Sequence, residues 1–282
     1  MSFAWLSWSN PVALWWGFLV AVSIINIAVW IYIRYRINAQ DELRQTHRYS
    51  SDPMVYLSAV YVFGTAFRAV LPRADVQRIS LFDTWFSNAL LGRSVATVAE
   101  VCFAIQWAIV LHYLSRLTRS HFSEKISYAI VPVIVVAELF SWYAVITTNY
   151  FGHVIEESLW TLVFVFIAIS LFIMWKKFAG KARYVIGFLI MSALCYVAFE
   201  SIVDVPMYIT RWQAQAASSA QFLGIIAGVH DLGSRWVITY DIAHWREEIP
   251  WMSLYFSAAV WMSLILASFV LVKETLPGYL RR

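Results

Sequence analysis

Cysteine is nearly missing from this chain: Cys102 and Cys195 are the only two in 282 residues, and both fall inside apolar runs. Two cysteines cannot build a disulfide framework, and each reads as a small apolar filler. Charge is scarce as well, at 13% of residues against roughly a quarter in an ordinary soluble domain. Internal repeats, low-complexity tracts and a linker to a separate soluble domain are lacking. So are the signatures of several enzyme classes: Walker A, G-x-G-x-x-G, an Asp-rich D-x-x-x-D diphosphate motif, C-x-x-C-H and G-x-S-x-G. No nucleotide motif and no covalently attached c-type haem are therefore expected.

What fills the chain instead is apolar, at 61% of residues. Seven runs stand out, at about 12–33, 53–72, 94–115, 126–148, 158–175, 184–209 and 251–272, each near the ~20 residues that cross a bilayer. The expected fold is all-α: a polytopic membrane helix bundle of seven transmembrane helices in a single integral membrane domain, 1–282. Fifteen Trp and 15 Tyr suit aromatic belts at two lipid–water interfaces. The first run is followed by Arg34 and Arg36 without a small-residue cleavage site, so it reads as a retained helix.

Orientation follows from Lys and Arg. Arg34, Arg36, Arg44 and Arg48 follow the first run, and Arg116, Arg119 and Lys125 the third. Lys176, Lys177, Lys181 and Arg183 follow the fifth, and Lys273, Arg281 and Arg282 the seventh, fourteen in all. The other side carries six: Arg73, Arg78, Arg93, Arg211, Arg235 and Arg246. The N-terminus is therefore expected outside and the C-terminus in the cytoplasm, in a bacterial cytoplasmic (inner) membrane. Because the basic residues sort by loop, the net charge of +4 is not a nucleic-acid signal, and no nucleic-acid partner is expected.

Two outer segments exceed simple turns. Residues 73–93 alternate charge with aromatics, the pattern of an interfacial helix in the headgroup plane. Residues 210–250 form a long outer loop, within which the Ala/Gly-rich stretch 213–229 reads as re-entrant, interfacial or an eighth span.

An ionisable side chain at the centre of a span costs about 2.5–3.5 kcal/mol, so those inside the runs carry the most information. The sixth run reads Ser192, Tyr196, Glu200, Asp204, Tyr208 and then Arg211, a polar stripe on one helix face. Glu200 and Asp204 are i,i+4 neighbours, so a proton or a cation must separate their charges. Arg68 lies in the second run, Arg93 and Glu100 share a face of the third, and Glu138 lies in the fourth. In the last run, Ser253 and Ser257 read as cavity-lining hydroxyls. Plainer readings exist: snorkelling for Arg68, interhelical bonding for the glutamates, a water interface for Asp204. Five charged groups on four helices favour a shared polar pocket in the outer half. Glu100, Glu138, Glu200 and Asp204 are the candidate catalytic acids and bases; Arg68, Arg93, Tyr196, Tyr208 and Arg211 are the candidate substrate contacts.

On the outer side, His153, His230 and His244 with Asp241 are candidate ligands for an external divalent metal. Their plainer reading is as solvated loop residues. An outward N-terminus and seven spans resemble microbial rhodopsins and the alkaline ceramidase and adiponectin-receptor group in topology alone. A retinal protein needs a Schiff-base lysine inside its last span, and residues 251–272 hold none, so no retinal is expected. The metal-dependent group carries two histidines four apart, and no such pair occurs here. Three function classes fit. One is a membrane-embedded enzyme acting on a lipid or isoprenoid-like substrate by acid–base chemistry. The others are a non-catalytic subunit or ligand-binding sensor, and a proton- or cation-coupled transporter. The expected partners are membrane lipids and a lipid-like small molecule; protein partners are left open.

Overall fold

Each apolar run is helical in the computed structural model, which describes residues 9–44 and 52–281; Arg48 and Arg282 of the orientation count lie outside the described residues. The helices are α1 (Pro11–Arg44), α2 (Pro53–Val70), α3 (Ala89–Thr118), α4 (His121–Thr147), α5 (Phe151–Trp175), α6 (Gly180–Ala217) and α7 (Glu248–Val272). Among the described residues these seven are long and apolar enough to cross a membrane, and the chain is an all-α integral membrane protein. Local chemistry sets their ends. The Asp52 carboxylate accepts from the Met54 N–H with Pro53 in the first turn, a start that needs no N–H from proline. The last turns of α3, α4 and α6 close without glycine. Arg119, Thr148 and Ser219 take positive φ of 51°, 60° and 52°, and the next N–H reaches back to Ser115, Ala144 and Gln215 respectively.

The chain divides into two compact units interleaved in sequence. The first holds the described residues up to Phe103, with Val145–Thr148 and Phe222–Ala267. Here α1 packs on α2, and both meet a turn of α7 at Tyr255–Ala259. Val12, Trp15, Leu19, Ala69, Leu81, Trp245 and Phe256 form the apolar core. The expected interfacial helix at 73–93 is instead a small hairpin followed by a 3-10 turn, with α3 starting at Ala89. Strand β1 (Arg73–Ala74) runs antiparallel to β2 (Ile79–Ser80), which pairs in parallel with β3 (Val237–Ile238). The hairpin forms because Arg78 adopts φ 58° and both its arginines find interior acceptors. Arg78 donates to Asp231 Oδ2 at 2.8 Å and to the Val145 carbonyl at 2.8 Å. Burial lowers the Arg78 guanidinium from its usual range, with the Asp231 bond acting against that. Only Trp85 and Phe86 of this segment's aromatics are largely exposed.

The long connection is mostly structured. Its start extends α6 to Ala217, and Ile225–Ser234 forms a helix of ten residues. At ~1.5 Å per residue this is about 15 Å, half of a ~30 Å hydrocarbon core, so 213–229 is not an eighth span. The short helix docks on the end of α4 through Gly228, where a Cβ would collide with the Ile146 carbonyl oxygen. Leu223 N–H donates to the Thr147 carbonyl at 3.0 Å. With Arg78 on Val145, this satisfies carbonyls that a helix end leaves open.

The second unit comprises Ala104–Ala144, Asn149–Gln221 and the described residues from Ser268. Its centre is α5 packed along α6. Residues Glu200–Asp204 form a π turn, with Val205 N–H reaching the Glu200 carbonyl five residues back. Pro206 explains it: its ring would collide with the carbonyl four residues earlier, and widening the turn relieves that clash.

Candidate functional sites

Two ionic clusters occupy the two units. In the first, Arg68 closes α2, and α3 carries Arg93 and Glu100 two turns apart. Glu100 Oε2 lies 2.5 Å from Arg93 Nη2, and its Oε1 accepts from the Tyr255 hydroxyl at 2.7 Å. Arg68 lies 3.9 Å from Glu100 and 3.6 Å from Asp75, with its guanidinium 5.7 Å from the Tyr255 ring centre. Arg68 is 4% exposed and Glu100 7%, so Arg68 does not snorkel; its charge is met in the interior by Asp75 and Glu100. The Tyr61 ring lies 4.8 Å from Phe103 and 6.1 Å from Tyr255, which walls the pair.

Arg73 is also buried. It donates to the Asn88 carbonyl at 2.6 Å and lies over Phe67. Gly92 makes room, since a Cβ there would meet the guanidinium at 2.5 Å. Burial, with Arg68 nearby and Asp75 opposing, pushes the Arg73 guanidinium down to about 10. The hydroxyls expected to line a cavity are engaged elsewhere. Ser253 accepts the Trp15 indole N–H at 3.1 Å, and Ser257 donates to the Ser253 carbonyl.

In the second unit, α5 supplies His153, Glu156 and Glu157, and α6 supplies Tyr196, Glu200, Asp204, Tyr208 and Arg211. Glu157, Glu200 and Asp204 each offer a carboxylate oxygen within 4.8 Å of the others, a spacing at which three hard oxygens could share a divalent cation. The π turn sends its two acids inward. Glu200 and Asp204 are 4% exposed, whereas Ile202 is 74% exposed. Both acids therefore face the protein interior. The Tyr196 hydroxyl bonds to Glu200 and its ring lies 4.3 Å from Phe164. Glu200 Oε2 is buried and has no hydrogen-bond partner among the described residues.

Beside this cluster, His153 Nδ1 lies 2.5 Å from Glu156 Oε2, both buried, and the imidazole is 4.9 Å from the Tyr208 ring. The Arg211 guanidinium lies 5.4 Å from the Tyr150 ring centre and 5.7 Å from that of Tyr208. Glu138, on α4, is buried in the same unit at 3% exposure.

The histidine set does not form a ligand cluster. His153 is committed to Glu156. His230 is exposed on the short helix near Ser234. His244 lies 3.9 Å from Asp241, whose Oδ1 caps the Ala243 N–H. None of the four belongs to a group of three close ligand atoms among the described residues. Glu157, Asp75 and Tyr255 join the clusters without a distinctive signal in the chain. Glu157 has one weak sign: His153, Glu156 and Glu157 share a face once α5 is allowed to begin before its apolar run.

Comparison with protein-family models, with characterised proteins and with solved structures yields no match.

Proposed function

We propose that this integral membrane protein is an enzyme acting on a lipid or isoprenoid-like substrate by acid–base chemistry centred on Glu157, Glu200 and Asp204. The supporting observation is the convergence of three acidic side chains within 4.8 Å, two of them buried. Two like charges at that distance repel by about 3.5 kcal/mol at an effective dielectric near 20. All three cannot stay ionised together unless a cation joins them; without one, a proton is retained. A protonated carboxyl beside an ionised neighbour is an acid and a base in one site. The Glu200 oxygen that has no hydrogen-bond partner among the described residues can reach a substrate hydroxyl or carbonyl. The His153–Glu156 pair adds an imidazole held in orientation by a carboxylate. Arg211, laid over two tyrosine rings, is a cation suited to an anionic headgroup.

The test places the purified chain in nanodiscs of total membrane lipid and follows the lipid species by mass spectrometry. Conversion of one lipid class is expected, with Asp204→Asn slowing it by about 10²–10⁴-fold, the range for loss of a general acid or base. No conversion by the unsubstituted protein would overturn the enzyme reading.

The proposed topology is N-terminus outside and C-terminus in the cytoplasm, supported by the fourteen-to-six distribution of Lys and Arg. A fluorescent protein fused after the last residue should glow, and alkaline phosphatase fused there should be inactive. The opposite pair of results would reverse the orientation.

A further inference from the structure

The second unit carries another built feature, at the far end of α5 from the carboxylates. About nineteen residues separate Glu157 from Lys176 along this helix, roughly 28 Å at ~1.5 Å per residue. That is close to the ~30 Å hydrocarbon thickness, so Lys176 falls at the opposite water interface. There a cleft of about 350 Å³ is lined by Leu117, Thr118, Arg119, Lys176, Lys177, Leu280 and Arg281. Four of the seven are cations and none is acidic. Among the described residues, none of the four is in an ion pair with a carboxylate, whereas Arg116, just outside, is paired with Glu124 at 3.0 Å.

Hydrogen bonds to backbone carbonyls fix the walls. Lys177 Nζ donates to the Thr118 carbonyl at 2.5 Å, anchoring the segment after α5 to the end of α3. Arg281 N–H donates to the Lys177 carbonyl and Ala179 N–H to the Tyr279 carbonyl, both at 2.9 Å. Phe178 and Leu280 pair between them. Arg119 stands at the positive-φ position that closes α3. Next to the cleft, on the last turns of α5, Phe172 and Ile173 are exposed and apolar, a surface for acyl chains.

We infer that this cleft binds a phosphate group, that of an anionic phospholipid headgroup. Arg119 and Arg281 offer planar forks matched to phosphate oxygens, and Lys176 supplies a compact charge. Basic pockets at the end of transmembrane helices hold such headgroups in this way.

The test uses the full chain in nanodiscs of phosphatidylcholine alone or of phosphatidylcholine mixed with phosphatidylglycerol. The anionic lipid should raise Tm by roughly 4 °C, the shift for a ligand well above its Kd in a chain of this size. Lys176→Gln combined with Arg281→Gln should abolish that rise and leave Tm in phosphatidylcholine unchanged. Lys125→Gln, at an exposed cation outside the cleft, should keep it. Inorganic phosphate added to the protein in zwitterionic detergent should give no comparable shift; an equal shift would make free phosphate the ligand and overturn the lipid assignment. A rise that survives the double substitution, or no difference between the two lipid compositions, would overturn the site.

Discussion

Glu100→Leu should destabilise the protein by about 3–5 kcal/mol, the cost of leaving buried charges without their partner. The carboxylate serves Arg93, Arg68 and the Tyr255 hydroxyl together, and its loss leaves those interior guanidiniums short of a counter-charge. Glu100→Gln keeps the shape and an acceptor for Tyr255, so its cost should be smaller, about 1.5–3 kcal/mol. Reversible unfolding in detergent micelles measures both. Removing a guanidinium at the same time, as Glu100→Leu with Arg93→Met, should recover part of the loss, because it takes away one stranded charge. If Glu100→Leu unfolds at the same point as the parent protein, the network contributes nothing to stability.

Glu200→Gln separates chemistry from packing. The amide has the carboxylate's shape and keeps a bond to Tyr196, so unfolding should shift by less than about 1 kcal/mol. Activity on the lipid substrate should fall by about 10²–10⁴-fold, because an amide neither gives nor takes a proton at neutral pH. Glu200→Leu should lose activity and also about 1–3 kcal/mol, since the buried Tyr196 hydroxyl is left without its acceptor. A leucine variant as stable and as active as the parent would remove this acid from the mechanism and make the stripe on α6 a packing feature.

The seven helices are legible in the chain because crossing a bilayer demands long apolar runs, and little else in a protein of this composition does. Their ends are less legible. The apolar part of α5 begins at Ser158, yet the helix begins at Phe151, and the acids that matter lie in the intervening turns. Read as a loop, the segment offers His153 as a surface metal ligand; wound as a helix, it turns His153 and Glu156 inward. The pairing of Arg93 with Glu100 can be read from their spacing of two turns. Their third partner, Tyr255, is 155 residues from Glu100, and no local pattern announces it. The hairpin at 73–80 is hidden for the same reason. Charged and aromatic residues side by side suggest a helix at the water interface, but Arg78 meets Asp231, 153 residues away. Local sequence gives the probability of a helix; only the tertiary partner shows that an arginine can be buried.

The π turn at Glu200–Asp204 has a further consequence when seen as a difference in length. It behaves as a one-residue insertion into an otherwise regular helix. A related chain lacking that residue would keep Tyr196 in place but swing everything beyond the turn by about 100°, one residue's rotation on a helix of ~3.6 residues per turn. Tyr208 and Arg211 would leave His153 and Tyr150, and the side chains next to them would take over those positions. The first part of α6 would still align with such a relative position by position, while the part after Pro206 would match only with a gap. One inserted residue would thus separate two families that share the same carboxylate on one side of the turn and present different side chains to the ligand on the other.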